Sequence, residues 1–155
     1  DGGSAQDAED AARQAAALFD RIGDPIGSAQ CLRTIGEALA RDPQRTAEAE
    51  KALASASAIF SDRGYEWGFA LVELSLGEIG VRRGAADATS RLQRSLMYWA
   101  AENVPQLQAR ALVALGTAAD QAGDPAARDL LFQAYYLYRD LKAPQTAELA
   151  ARLGI

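Results

Sequence analysis

The sequence predicts an all-α fold, a stack of about eight helices arranged as antiparallel pairs, and three observations carry that expectation. Alanine fills 35 of the 155 positions against five prolines, and alanine loses no side-chain entropy on entering a helix. A small residue followed six positions later by a hydrophobe and then glycine recurs as Ala29…Ile35-Gly36, Ala70…Leu76-Gly77, Ala109…Leu115-Gly116 and Ala147…Leu153-Gly154, with glycine spacings of 41, 39 and 38. Between these anchors lies a second pattern with offsets of 4, 3 and 4, ending on an aromatic residue. It reads Ala8, Ala12, Ala15, Phe19, then Ala49, Leu53, Ala56, Phe60, then Ala88, Leu92, Ser95, Trp99, and finally Ala127, Leu131, Ala134, Tyr138. Those offsets place each set on one helical stripe.

Turn chemistry divides the chain accordingly. Asp24-Pro25, Asp42-Pro43 and Asp124-Pro125 each set a helix-capping acid before a proline, whose missing N–H costs nothing in a first turn. Asn103-Val104-Pro105 and Ala143-Pro144 are weaker versions of the same signal. The predicted helices therefore cover residues 4–21, 25–41, 43–63, 66–83, 85–102, 105–122, 124–141 and 144–152. Gly36, Gly77 and Gly116 fall inside helices, where glycine costs about 1 kcal/mol relative to alanine. Their shared phase assigns them to close contact with the helix carrying Ala49, Ala88 or Ala127, while Ile35, Leu76 and Leu115 fill the space beside them.

At this point the residues resemble the tetratricopeptide repeat family. Leu32, Ile35, Gly36 and Leu39 match its first helix, Ala49, Leu53 and Ala56 match its second, and the resemblance runs from Ala8 to Gly154. It implies a right-handed superhelical solenoid whose first helices line a concave groove. The family period is about 34 residues, so a spacing of 38 to 41 means longer helices than usual. Glu73 also departs, standing where Leu32 and Leu112 stand, which leaves the rotation of its helix open. The stretch Gly23-Asp24-Pro25-Ile26-Gly27 through Ile35-Gly36, followed by an alanine-rich helix ending in Phe60, resembles the long-helix arrays of large bacterial signal-transduction ATPases and transcription regulators. That resemblance implies a regulatory or sensor arm.

Composition bears on other classes of function. Sixteen basic and 21 acidic residues give a net charge of −5, which disfavours the phosphate contacts of direct DNA or RNA binding. There is no histidine, so Ser-His and Cys-His nucleophilic pairs are impossible and the commonest metal ligand is missing. Cys31 is alone and reads as a buried thiol in a reducing compartment, with the cytoplasm as the expected location. Glycine-rich phosphate loops are absent, as is any apolar run of membrane-spanning length. No catalytic residue, metal site or cofactor is expected. The carboxylates Glu37, Glu78 and Asp120 read as solvated or partner-facing charge. Residues 1–155 read as a single domain, and the opening Asp1-Gly2-Gly3 reads as a piece of something longer, beginning on a second helix and ending on a first.

The phase nominates a binding face. If Ala29, Leu32, Ile35 and Leu39 face the partner helix, then Gln30, Arg33, Glu37 and Arg41 face the groove, followed by Leu71, Leu74, Glu78 and Arg82, and by Arg110, Val113, Thr117 and Gln121. This mixture suits a protein or peptide segment of both charge signs, while Glu37 and Glu78 would repel a terminal carboxylate. Two other readings stand beside it, a small-molecule inducer held by the long helices and self-association through the open ends. Tyr65, Trp67 and Phe69, and likewise Tyr135, Tyr136 and Tyr138, are part core by spacing; Trp67 reads equally as a surface marker or as inter-helix packing.

Overall fold

Among the described residues eight α-helices follow one another: α1 (Gly2–Ile22), α2 (Pro25–Leu39), α3 (Thr46–Asp62), α4 (Glu66–Arg83), α5 (Ala88–Ala101), α6 (Pro105–Gln121), α7 (Ala126–Asp140) and α8 (Gln145–Leu153). The structure is a computed structural model that describes residues 2–155, with side chains from Gln6 onward, and no strand occurs among the described residues. Starts fall within three residues of the predicted ones, the largest differences being at α3 and α5. Pro43–Arg45 forms a 3-10 turn ahead of α3, and α5 begins at Ala88 rather than near 85.

The predicted caps form. Asp24 accepts a hydrogen bond from the Gly27 N–H at 3.0 Å, Asp42 from Gln44 at 2.9 Å and Asp124 from Ala126 at 2.9 Å. Every helix but α2 closes on a left-handed residue, followed by an N–H that returns to a carbonyl five positions back, as in Tyr65 to Phe60 at 2.8 Å and Val104 to Trp99 at 3.0 Å. Glycine takes the left-handed position except at Asn103 and Lys142, both at φ 54°.

The chain divides into two compact units, the first ending at Ile79 and the second running Gly80–Ile155. In the first, Ala29, Ile35 and Leu39 of α2 meet the whole stripe Ala49, Leu53, Ala56 and Phe60 of α3, and Val72 and Ile79 of α4 join them. Backbone proximity explains Gly36: a Cβ there would lie 2.6 Å from Leu53 Cγ and 3.1 Å from the Ala49 carbonyl oxygen. Two further glycines make room for aromatic rings, Gly27 beneath Phe19 and Gly68 beneath Phe60 and Tyr65.

The second unit repeats the arrangement. Ala109 and Leu112 of α6 pack on Leu131, Ala134 and Tyr138 of α7, with Leu149 and Leu153 of α8 closing the core. A Cβ at Gly116 would meet Leu131 Cγ at 2.8 Å and the Ala127 carbonyl oxygen at 3.3 Å. Opposite Ala88 it is Gly80 that gives way, a Cβ there lying 2.8 Å from the Ala88 methyl. The stripe of α5 is buried throughout, and the Trp99 indole N–H donates to Ser95 Oγ at 2.8 Å.

Two sequence assignments are corrected. Gly154 is not an interior helix anchor but the left-handed cap of α8, at φ 73°, and Ala147 is exposed where Ala29, Ala70 and Ala109 are buried. The stripe on α1 is present yet uncovered, with Ala8 exposed and Ala12, Ala15 and Phe19 only half-buried.

Candidate functional site

The helices carrying the anchor glycines place their nominated side chains in different environments. On α2 Gln30 is exposed, as is Arg41 in the turn that follows it, and Arg33 is paired with Glu37 at 2.7 Å across one helical turn. Glu37 also accepts a hydrogen bond from Ser75 Oγ of α4 at 3.2 Å. The Glu37 carboxylate is thus shared between Arg33 and Ser75. Glu78 is half-buried and Arg82 exposed.

Leu74 does not belong to a binding face, because its side chain is completely buried. The reason lies in the composition of α4. Ala70, Val72, Glu73, Leu74, Ser75, Gly77, Ile79, Gly80 and Val81 are all buried, so this helix is covered on nearly every side and has no broad solvated stripe. Glu73, standing where Leu32 and Leu112 stand, is likewise turned inward, at 1% exposure.

In the second unit, Arg110, Val113 and Thr117 are half-buried and Gln121 is exposed. Thr117 donates to the Val113 carbonyl at 2.8 Å and accepts from Arg152 of α8 at 2.9 Å, while Arg152 reaches Asp120 at 3.6 Å. The residue just after an anchor glycine thus touches the residue two before the next one, Glu37 with Ser75 in the first unit and Thr117 with Arg152 in the second. Sequence reasoning missed Ser75 and Arg152, although their shared offset from glycine was available.

A charged cluster ties α1 to the start of α3. Glu9, nearly buried, accepts from Arg45 at 2.7 and 3.0 Å and from Arg13 at 2.6 and 3.0 Å, and Arg45 also holds Glu48 at 2.9 Å. Hydrogen bonds from Arg45 and then Arg13 outweigh desolvation and bring the Glu9 carboxyl down to about 2. Glu48 is lowered by Arg45 as well, and the Arg45 guanidinium is raised by Glu48 and Glu9. Beside the cluster lie two open clefts, one of about 300 Å³ floored by Leu32, Leu39 and Ala52 and rimmed by Arg13, Glu48 and Lys51, the other of about 340 Å³ between Glu9, Arg41 and Arg45.

Elsewhere, Cys31 is half-buried and desolvation raises its thiol, which keeps it protonated near neutral pH. Tyr138 is core, whereas Tyr136 and Trp67 are 48% and 40% exposed. The Arg128 and Arg139 guanidinium groups stand over Phe132 and Tyr136 at 5.3 and 4.9 Å. Among the described residues no group of acids and cysteine is arranged to hold a metal ion, and no helix is long and apolar enough to cross a membrane. No family model, curated protein or solved structure matches the chain.

Proposed function

We propose that the chain is a non-catalytic binding module of tetratricopeptide-like helix pairs, whose first-helix face takes a peptide or protein segment. The observation that carries this reading is a polar contact between consecutive first helices that recurs two periods on, Glu37 with Ser75 and then Thr117 with Arg152, each within its own unit and on the row nominated from the sequence. Side chains linked in this way are held in fixed rotamers, which lowers the ordering cost of binding. In the first unit Gln30 and Arg33 on α2 with Arg41 just after it, and in the second unit Arg110, Val113 and Gln121 on α6, each offer charge, amide or apolar groups suited to a segment of mixed character. A right-handed solenoid, a role as the sensor arm of a bacterial transcription or signalling protein, and a cytoplasmic location belong to the same proposal, on the strength of the family resemblance.

Selection from a displayed peptide library tests it. Enriched peptides should carry apolar positions with charges of both signs, and Arg33→Glu combined with Arg110→Glu should weaken them by about tenfold or more, a loss of about 1.4 kcal/mol. Unchanged affinity would remove the first-helix face from the account. The cleft floored by Leu32, Leu39 and Ala52 favours a second reading, an inducer with an apolar body and an anionic group near Lys51, since about 300 Å³ is the lower end of small-ligand sites. A saturating ligand at 100 times its Kd would add about 2.7 kcal/mol of stability, visible in a thermal-shift screen of metabolites.

A further inference from the structure

We infer that the cleft between α1 and α3 of the first unit binds a small monocarboxylic acid, its hydrocarbon body on the apolar floor and its carboxylate at the Lys51 ammonium. The inference rests on the reading of that cleft as a small-molecule site and names the class of molecule it takes. Its premise is a comparison within the chain, because each unit builds the same three-helix arrangement, α1, α2 and α3 in the first and α5, α6 and α7 in the second. In the shared register Ala8 matches Ala88, Gly36 matches Gly116 and Ala49 matches Ala127.

By that register Leu32 stands where Leu112 stands, and the side chains on either side of them differ. In the second unit Leu96 of α5 and Leu130 of α7 pack against the core that holds Leu112, which is 2% exposed. In the first unit the same two places hold Ala16 and Ala52, and Leu32 is left half-buried. At the far end of the floor the exchange runs the other way, Leu39 against Ala119, so the first unit keeps an apolar base while its walls are cut back. What remains is the open cleft of about 300 Å³ over Leu32, Leu39 and Ala52. An apolar body laid there gains the burial that the two leucines provide in the second unit.

Charge at the rim selects the head group. Arg13, Glu48 and Lys51 line it, and two of the three are already answered within the fold, Arg13 by Glu9 at 2.6 Å and Glu48 by Arg45 at 2.9 Å. Ser55, also on the rim, donates its hydroxyl proton to the Lys51 carbonyl at 3.0 Å. The exposed Lys51 ammonium forms no ion pair with any described residue. One unmatched positive charge beside an apolar floor fits a monoanion, whereas a dianion such as a phosphate monoester would set its second charge against Glu48. In the second unit, where leucines fill the walls, Asp129 stands in the place of Lys51, so hollow and cation occur together in the first unit and both are missing from the second.

Amide chemical shifts of the full labelled chain, titrated with octanoate to about 3 mM, test the inference, since about ten heavy atoms permit affinities of that order. Shifts should centre on Leu32, Lys51, Ala52 and Ser55. At matched concentrations 1-octanol should bind about fivefold more weakly, the contribution of one partly exposed charge pair, and octylammonium more weakly still. Lys51→Gln should bring octanoate down to the affinity of the alcohol and leave the alcohol unchanged. Ala52→Leu, which installs the side chain that Leu130 supplies in the second unit, should abolish binding of all three probes with the remaining amide shifts retained. An alcohol bound as tightly as the acid, or octanoate binding unchanged in Lys51→Gln, would overturn the carboxylate assignment and leave the small-molecule cleft standing. Silence at the cleft with all three probes, or octanoate binding undiminished in Ala52→Leu, would overturn the cleft reading and the inference together.

Discussion

Gly36 has no room for a methyl group, since Leu53 Cγ and the Ala49 carbonyl already lie 2.6 and 3.1 Å from where its carbon would sit. The carbonyl belongs to a packed helix and cannot step aside alone. Gly36→Ala should therefore cost about 1 to 3 kcal/mol by overpacking, although alanine is the better helix former by about 1 kcal/mol. Urea denaturation checks the sign, and a stabilised variant would mean the helices are not in contact there. Glu9 makes a different residue-scale case. Its carboxyl titrates at about 2 in the fold against 4.5 ordinarily, so the stability it contributes is complete above pH 4.5 and is lost as pH falls toward 2. Thermal melts of wild type and Glu9→Gln from pH 7 to pH 2 should differ most at neutral pH, with the wild type more stable, and should converge as pH approaches 2. A constant difference across that range would place the charged pair elsewhere.

At the scale of elements, α8 is the lightest part of the second unit. Nine residues long, it is held by Leu149 and Leu153, by Arg128 donating to the Leu153 carbonyl at 3.3 Å, and by Arg152 on Thr117 and Asp120. Leu153→Ala should cost about 2 to 4 kcal/mol, and hydrogen exchange should then reach α8 well before α6 and α7. Exchange rising equally in all three helices would show that they open as one.

Helix existence and order were readable from the sequence, because small residues are obligatory wherever two backbones approach and therefore recur with the repeat. The rings over Gly27 and Gly68 were equally readable, since Phe19 and Phe60 each precede their glycine by eight residues. Leu74 was not, because the groove assignment assumes a solvated side that α4 lacks. Exposure of the α1 stripe was also hidden, as pattern reports what a helix can bury and neighbours decide what it does bury. The Glu9 cluster joins residues 36 apart, beyond any local periodicity.

For the whole molecule, each unit carries its own version of one arrangement: a first helix with an anchor glycine, a second helix with a buried stripe, and a polar contact to the next first helix. Beside those contacts Arg33, Glu37, Val113 and Thr117 are half-buried. The outward faces of the second helices offer the contrasting surface, with exposed Met97 on α5 and Tyr136 on α7.

The measurement that separates these surfaces is an amide chemical-shift map of the labelled chain titrated with a peptide taken from the library selection. The account predicts shifts concentrated at Gln30, Arg33 and Glu37 of α2, at Arg41 just after it, and at Arg110, Val113, Thr117 and Gln121 of α6, with Met97 and Tyr136 unmoved. Shifts confined to α5 and α7 around Met97 and Tyr136, with the α2 and α6 rows silent, would contradict it.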